Sequence, residues 1–232
     1  MGKNMSIDGT FKYKDLTLYH GGFDLNWVDK YLGKTPEVII EFGAYDGGDA
    51  VRFKTNYQDS EVFSLEACEN RFKIIKGYNI EELGIKLFNY AVSDVDGEID
   101  FYPMLDSNNK DDNKYGGSGS ILKATDKYKN SFKHLKHLEP VKVKSIRIDT
   151  FCKMNNISKI DILHIDAEGA DLIALKSIGD LRPKLVFLEK GYGKEWYGPD
   201  AYSDDEILKF LQPLGYEIKE DTNIDGLYVL KN

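Results

Sequence analysis

An excess of positive charge, long apolar runs and clustered cysteines are all missing from this chain, and each absence removes a class of function. Lysine and arginine number 31 against 39 aspartates and glutamates, a formal net charge of −8. A grip on a nucleic-acid backbone needs clustered cations, so nucleic acid is not expected as a partner. No apolar run nears the roughly eighteen residues that cross a bilayer. Lys3, Asp8 and Lys12 keep the N-terminal stretch polar where a signal peptide would carry its apolar core. The expectation is a cytoplasmic protein with no membrane partner. Cys68 and Cys152 lie far apart and share no metal-ligand spacing with a histidine, which predicts two core thiols and no disulfide. At 232 residues the chain suits one α/β domain with a full core and is short for two.

What the chain does have begins at Val38. Val38-Ile39-Ile40 reads as a buried strand, and it runs through Glu41 into the turn Gly43-Ala44-Tyr45-Asp46-Gly47-Gly48. Glycines just past a strand end let the backbone approach a ligand closely. Further strands are expected at Val62–Glu66, Ile85–Ala91, Ile162–Asp166 and Leu185–Glu189, alternating with helical patterns, the mark of βα units and a mostly parallel sheet. Two last strands, Tyr216–Lys219 and Gly226–Leu230, should pair antiparallel around a turn at Asn223–Gly226. Phe23–Leu32 has helical spacing with Asp24 as N-cap. Residues 1–37 are therefore expected to be a helical extension packed on a single domain spanning 38–232. Gly97–Tyr102 and Val141–Ile148 alternate like an extra edge hairpin. The polar run Asp106–Lys114 and the stretch Tyr115–Ser120 read as a mobile loop. Lys123–His137, rich in lysine, reads as a solvated helix face or a lid.

In an open parallel sheet, ligands bind beyond the carboxyl ends of the strands. Glu41, Glu66, Asp94, Asp166 and Glu189 all close expected strands. Glu66 stands about twenty residues past the glycine turn, where an acid on the second strand accepts from ribose hydroxyls. The glycine spacing is E-x-G-x-x-x-G and not the dinucleotide G-x-G-x-x-G. Glu41 and Asp46 flanking the turn would repel a pyrophosphate but suit the sulfonium and ammonium of S-adenosylmethionine (SAM).

From Val38 to about Lys190 the motifs agree in order with one family. They are Ile39-Ile40-Glu41-Phe42-Gly43-Ala44-Tyr45-Asp46-Gly47, Phe63-Ser64-Leu65-Glu66-Ala67, Asn89-Tyr90-Ala91-Val92-Ser93-Asp94, Gly117-Ser118-Gly119-Ser120-Ile121-Leu122, Ile148-Asp149-Thr150-Phe151 and Ile165-Asp166-Ala167-Glu168-Gly169-Ala170-Asp171. The set resembles the FkbM family of SAM-dependent methyltransferases. The resemblance implies a Rossmann-like class I methyltransferase fold: an α/β domain with a mostly parallel seven-stranded sheet, an antiparallel last strand and, in this chain, the extra edge hairpin. It also implies SAM as methyl donor and a hydroxyl acceptor, a sugar or another small polyhydroxylated compound or glycan. Alanine at Ala167 and the Asp106–Lys114 run depart from the pattern. The latter falls where acceptor specificity is set, so acceptor identity does not carry over.

On this reading Glu41, Gly43, Ala44, Asp46 and Gly47 surround the methionine part of SAM. Glu66 and Ala67 take the ribose, and Ala91, Val92 and Ser93 border the adenine, with Ser118 and Ser120 closing over the cofactor. Asp166 at the open end of its strand is the expected general base. As an alternative, Asp166, Glu168 and Glu189 hold Mg²⁺, which lowers the acceptor hydroxyl's pKa. His164, inside an apolar strand, is expected to be a core residue. Tyr192, Trp196 and Tyr197 would wall the acceptor pocket, since aromatic faces stack on sugar rings. The rival readings are an NAD-dependent oxidoreductase and a domain that holds SAM or a sugar without turnover.

Overall fold

The computed structural model describes residues 9–108, 115–191, 193–222 and 224–231. Its main sheet has seven strands: β1 (Val38–Phe42), β2 (Glu61–Leu65), β3 (Ile85–Phe88), β4 (Ile162–Ile165), β5 (Leu185–Glu189), β6 (Tyr216–Asp221) and β7 (Asp225–Leu230). Their order is β6-β7-β5-β4-β1-β2-β3, and β7 alone runs antiparallel to its neighbours β5 and β6. Strand order reverses between β1 and β4, which places a crevice at their carboxyl ends. Among the described residues no helix is long and apolar enough to cross a membrane.

Successive residues of each strand feed opposite faces, and the core divides accordingly. Ile40, Phe42, Leu163, Ile165, Val186 and Leu188 pack with Phe151, Leu172, Leu175 and Ile207 on one face. Ile39, Ile162, Leu185 and Phe187 pack with Leu18, Phe23, Trp27, Val51 and Phe53 on the other. The α-helices are α1 (Gly48–Asn56), α2 (Glu69–Gly77), α3 (Asp126–Ser131), α4 (Ile148–Met154), α5 (Asp171–Lys176), α6 (Lys194–Tyr197) and α7 (Asp204–Leu211), of which α3 and α6 pack on each other in a smaller separate cluster. Ser203 and Glu206 form a capping box that starts α7.

Several sequence expectations change. The N-terminal extension is a β-hairpin, Gly9–Tyr13 with Leu16–His20, followed by a single helical turn at Val28–Leu32. Asp24 accepts from the Asn26 backbone and so shapes the turn before the helix. The expected third strand stops at Phe88, where the Asn89 amide reaches back to the Glu66 carbonyl. Gly97–Phe101 and Val141–Ile146 do pair antiparallel, but with Ala91–Val92 they make a three-stranded sheet of their own and do not extend the main sheet. Lys123–His137 holds α3 and a short strand, Leu135–His137. Most of the Asp106–Lys114 run, and Asn223 of the last turn, lie outside the described residues.

Candidate functional site

The carboxyl ends of β1, β2, β4 and β5 open onto one cavity of about 710 Å³. Pairing in register sets Glu41, His164 and Phe187 side by side on β1, β4 and β5. Two residues further on, alternation returns Gly43, Asp166 and Glu189 to the same face, and Glu189 pairs across with Asp225 of β7. Gly43 takes φ 93°, and a Cβ there would lie 2.0 Å from the Asp166 carbonyl oxygen. Glycine is therefore required where the ends of β1 and β4 meet.

The lining is acidic. Glu41, Asp46, Asp49, Glu66, Asp166, Glu168, Glu189 and Asp225 all face the cavity, and among the described residues neither lysine nor arginine does. Burial, reinforced by Asp49, holds the Glu41 carboxyl well above its usual range, although the Ser64 hydroxyl donates to it. Burial pushes Asp46 up to about 6 against hydrogen bonds from the Tyr19 and Gly48 N–H groups at 2.8 and 3.0 Å. Glu66 accepts from the Tyr45 and Cys68 N–H groups at 2.8 and 2.7 Å, yet burial raises it to about 7. Asp166 is exposed to the cavity at the open end of β4, and desolvation by the protein around it together with Glu168 drives its pKa well upward. Burial and the neighbouring Glu168 do the same to Glu189, whose Oε2 is enclosed without a hydrogen-bond partner. Each carboxylate is costly to ionise alone and gains from an arriving cation.

Membership follows from comparison. The Methyltransferase FkbM domain matches residues 41–218. The chain belongs to the FkbM methyltransferase family. A relative described as 2-O-methyltransferase NoeI, from Sinorhizobium fredii (strain NBRC 101917 / NGR234), is 27% identical over 186 residues, covering 79% of this chain and 70% of that protein. Among solved structures, a putative caffeoyl-CoA O-methyltransferase from Staphylococcus aureus aligns with a TM-score of 0.47 at 12% identity, covering 89% of this chain and 80% of that one. A precorrin-6y C5,15-methyltransferase from Geobacter metallireducens GS-15 aligns at 0.45 and 10% identity, covering 89% and 86%. The matched domain makes this chain a SAM-dependent methyltransferase.

Of the residues singled out in the sequence, Glu41, Gly43, Ala44, Asp46, Glu66, Ala67, Ala91, Val92, Ser118, Ser120, Asp166, Glu168 and Glu189 line the cavity of the FkbM domain. Gly47 stands behind the turn at φ 80°, against Ile75 and Ile80. Ser93 is buried, its N–H on the Ile146 carbonyl. Trp196 and Tyr197 sit outside the lining in a satellite cluster with Tyr128 and Phe132. Tyr197 nonetheless touches the site from behind, its hydroxyl donating to Glu168 at 2.8 Å. Tyr192 lies outside the described residues. His164 is 4% exposed, packed on Phe53 and Phe187, and burial lowers its pKa, which keeps the imidazole neutral.

Among the described residues, the trio whose ligand atoms fall within 4.8 Å of one another is Glu41, Asp49 and His164, and the Arg52 guanidinium already sits 2.9 Å from Asp49. Asp166, Glu168 and Glu189 form no such trio. Sequence reasoning missed Tyr19, Gly21, Gly22, Asp49 and Asp225. Asp49 was within reach of it, two residues past Gly47 and on the first turn of α1. The N-terminal residues precede the matched span and carry no local motif.

Proposed function

We propose that the cavity binds SAM at its Glu41–Glu66 end and an uncharged polyhydroxylated acceptor, a sugar or similar compound, beside Asp166 and Glu189. The observation that carries this reading is the set of carboxyls spread through the lining, from Glu41 and Glu66 to Asp166 and Glu189, with neither lysine nor arginine beside them among the described residues. A cationic donor relieves the cost of burying those carboxylates, whereas a phosphorylated or carboxylated acceptor would meet repulsion. The relative named as a 2-O-methyltransferase agrees with oxygen as the methylated atom.

In this reading Glu41, Gly43, Ala44 and Asp46 surround the methionine moiety, Glu66 and Ala67 the ribose, and Ala91 and Val92 the adenine. The acceptor hydroxyl oxygen attacks the methyl carbon, the carbon–sulfur bond breaks, and S-adenosylhomocysteine leaves. Asp166 takes the hydroxyl proton. Its raised pKa makes it a stronger base than an ordinary carboxylate, and proton removal by a positioned base contributes about a hundredfold or more. Tyr197 acts through Glu168, fixing that carboxylate next to Asp166. Asp166, Glu168 and Glu189 do not fit Mg²⁺ as a preformed trio, and proton removal by Asp166 needs no metal.

Incubation with methyl-labelled SAM and a panel of neutral sugars, polyols, sugar phosphates and uronic acids tests the reading. Label on a hydroxyl oxygen of a neutral compound is the expected result. Transfer confined to the anionic compounds would overturn the acceptor class.

A further inference from the structure

Tyr19, Gly21 and Gly22 precede the span matched by the family, yet they line the cavity. In the strand Leu16–His20, Leu18 and His20 point inward and are buried, so alternation turns Tyr19 to the opposite side. There Tyr19 lines the cavity while remaining 40% exposed, with its ring edge-on to that of Tyr45 at 6.1 Å between centroids. A ring that open adds little to the core, so its position calls for another reason.

The backbone around it is fastened to the glycine turn. The Tyr19 N–H donates to Asp46 at 2.8 Å, and the Gly21 N–H donates to Asp49 at 2.7 Å. On the other side the Tyr19 carbonyl presses against Gly48, where a Cβ would come within 1.6 Å of it. Arg71 completes the stack from behind, its guanidinium 4.1 Å from the centre of the Tyr45 ring. Two carboxylates and one glycine, all in or just after the turn, thus fix where Tyr19 stands. Phe23, packed on Trp27, Phe53 and Phe187, anchors the following segment to the sheet.

We propose that Tyr19 is a donor-binding residue: its ring forms the outer wall of the SAM end of the cavity, and the N-terminal hairpin exists to hold it over the glycine turn. The inference rests on the donor occupying the Glu41–Glu66 end. An aromatic wall supplies apolar contact to the donor and excludes water from the carboxylates beneath, which strengthens their attraction for its positive charge.

Calorimetric titration of SAM into the full-length wild type, Tyr19→Phe and Tyr19→Ala tests it, with melting temperature and steady-state kinetics as companions. Tyr19→Ala is expected to raise Kd and KM for SAM by at least about fivefold, the scale of one lost aromatic contact, while kcat and the melting temperature of the unliganded protein stay near wild type. Tyr19→Phe should bind like wild type. Equal SAM affinity in wild type and Tyr19→Ala would overturn the proposal, as would a loss of affinity matched by a fall in melting temperature. Absence of SAM binding by the wild type would instead defeat the donor site on which the proposal stands.

Discussion

Gly43 and Asp166 approach so closely that a Cβ on Gly43 would meet the Asp166 carbonyl oxygen at 2.0 Å, and the Asp166 N–H donates to the Phe42 carbonyl at 2.9 Å. The glycine turn and the proposed base are thus one mechanical unit. Gly43→Ala is expected to be destabilised by about 2 kcal/mol or more, because an alanine there suffers both the clash and a positive φ. Chemical denaturation measures the loss, and a variant as stable as wild type would show that the two strand ends can separate freely.

Asp166→Asn preserves size and removes the base. SAM binding should persist, while kcat falls by at least about a hundredfold. Single-turnover methyl transfer separates the two effects. Near-normal turnover would place the base elsewhere.

Three carboxyls that line the cavity set a pH dependence. Asp46 is raised to about 6, and Glu66 and Glu168 to about 7, in each case chiefly by burial. Folded pKa values above unfolded ones mean that the folded state binds more protons in between. The contribution of these three groups to the stability of the unliganded protein is therefore fully present below the unfolded values near 4 and is lost as pH rises through about 6 to 7. A cationic donor favours the ionised forms, so SAM affinity should climb across the same interval. Melting curves and titrations from pH 5 to 8 check both signs, and a donor affinity that falls with rising pH would contradict the acidic-site account.

Phe23 ties the N-terminal segment to the core and is fully buried. Phe23→Ala should cost about 3–5 kcal/mol, typical of a buried aromatic cut to alanine. Limited proteolysis should then cut the chain before Gly43 first. Cleavage elsewhere at equal rate would argue that the segment is held by its carboxylate tethers alone.

Much of the sheet was legible because its strands are continuous apolar runs: Val38–Ile40, Ile162–Ile165 and Leu185–Leu188 sit where the pattern puts them, and strand-end acids mark the crevice. The N-terminal hairpin was not legible, since its turn at Lys14-Asp15 carries no glycine, and Lys14 itself adopts φ 50°. Gly97–Phe101 and Val141–Ile146 were readable as partners, but the sheet they belong to is set by the parallel pairing of Ser145–Ile146 with Ala91–Val92, a joining of distant segments that no local pattern marks. Trp196 illustrates a limit of composition. An aromatic that would suit a sugar platform is equally suited to packing on Tyr128 and Phe132, and only the tertiary structure distinguishes them. Asp225 reaches the site through the antiparallel pairing of β7 with β5, a long-range contact with no local signature.

Calorimetric titration of SAM into the purified protein at pH 7 tests the central claim most directly. The account predicts saturable binding at one site per chain, weakened when Glu66 or Asp46 is replaced by its amide. No binding at millimolar SAM, or binding that is indifferent to both replacements, would contradict it.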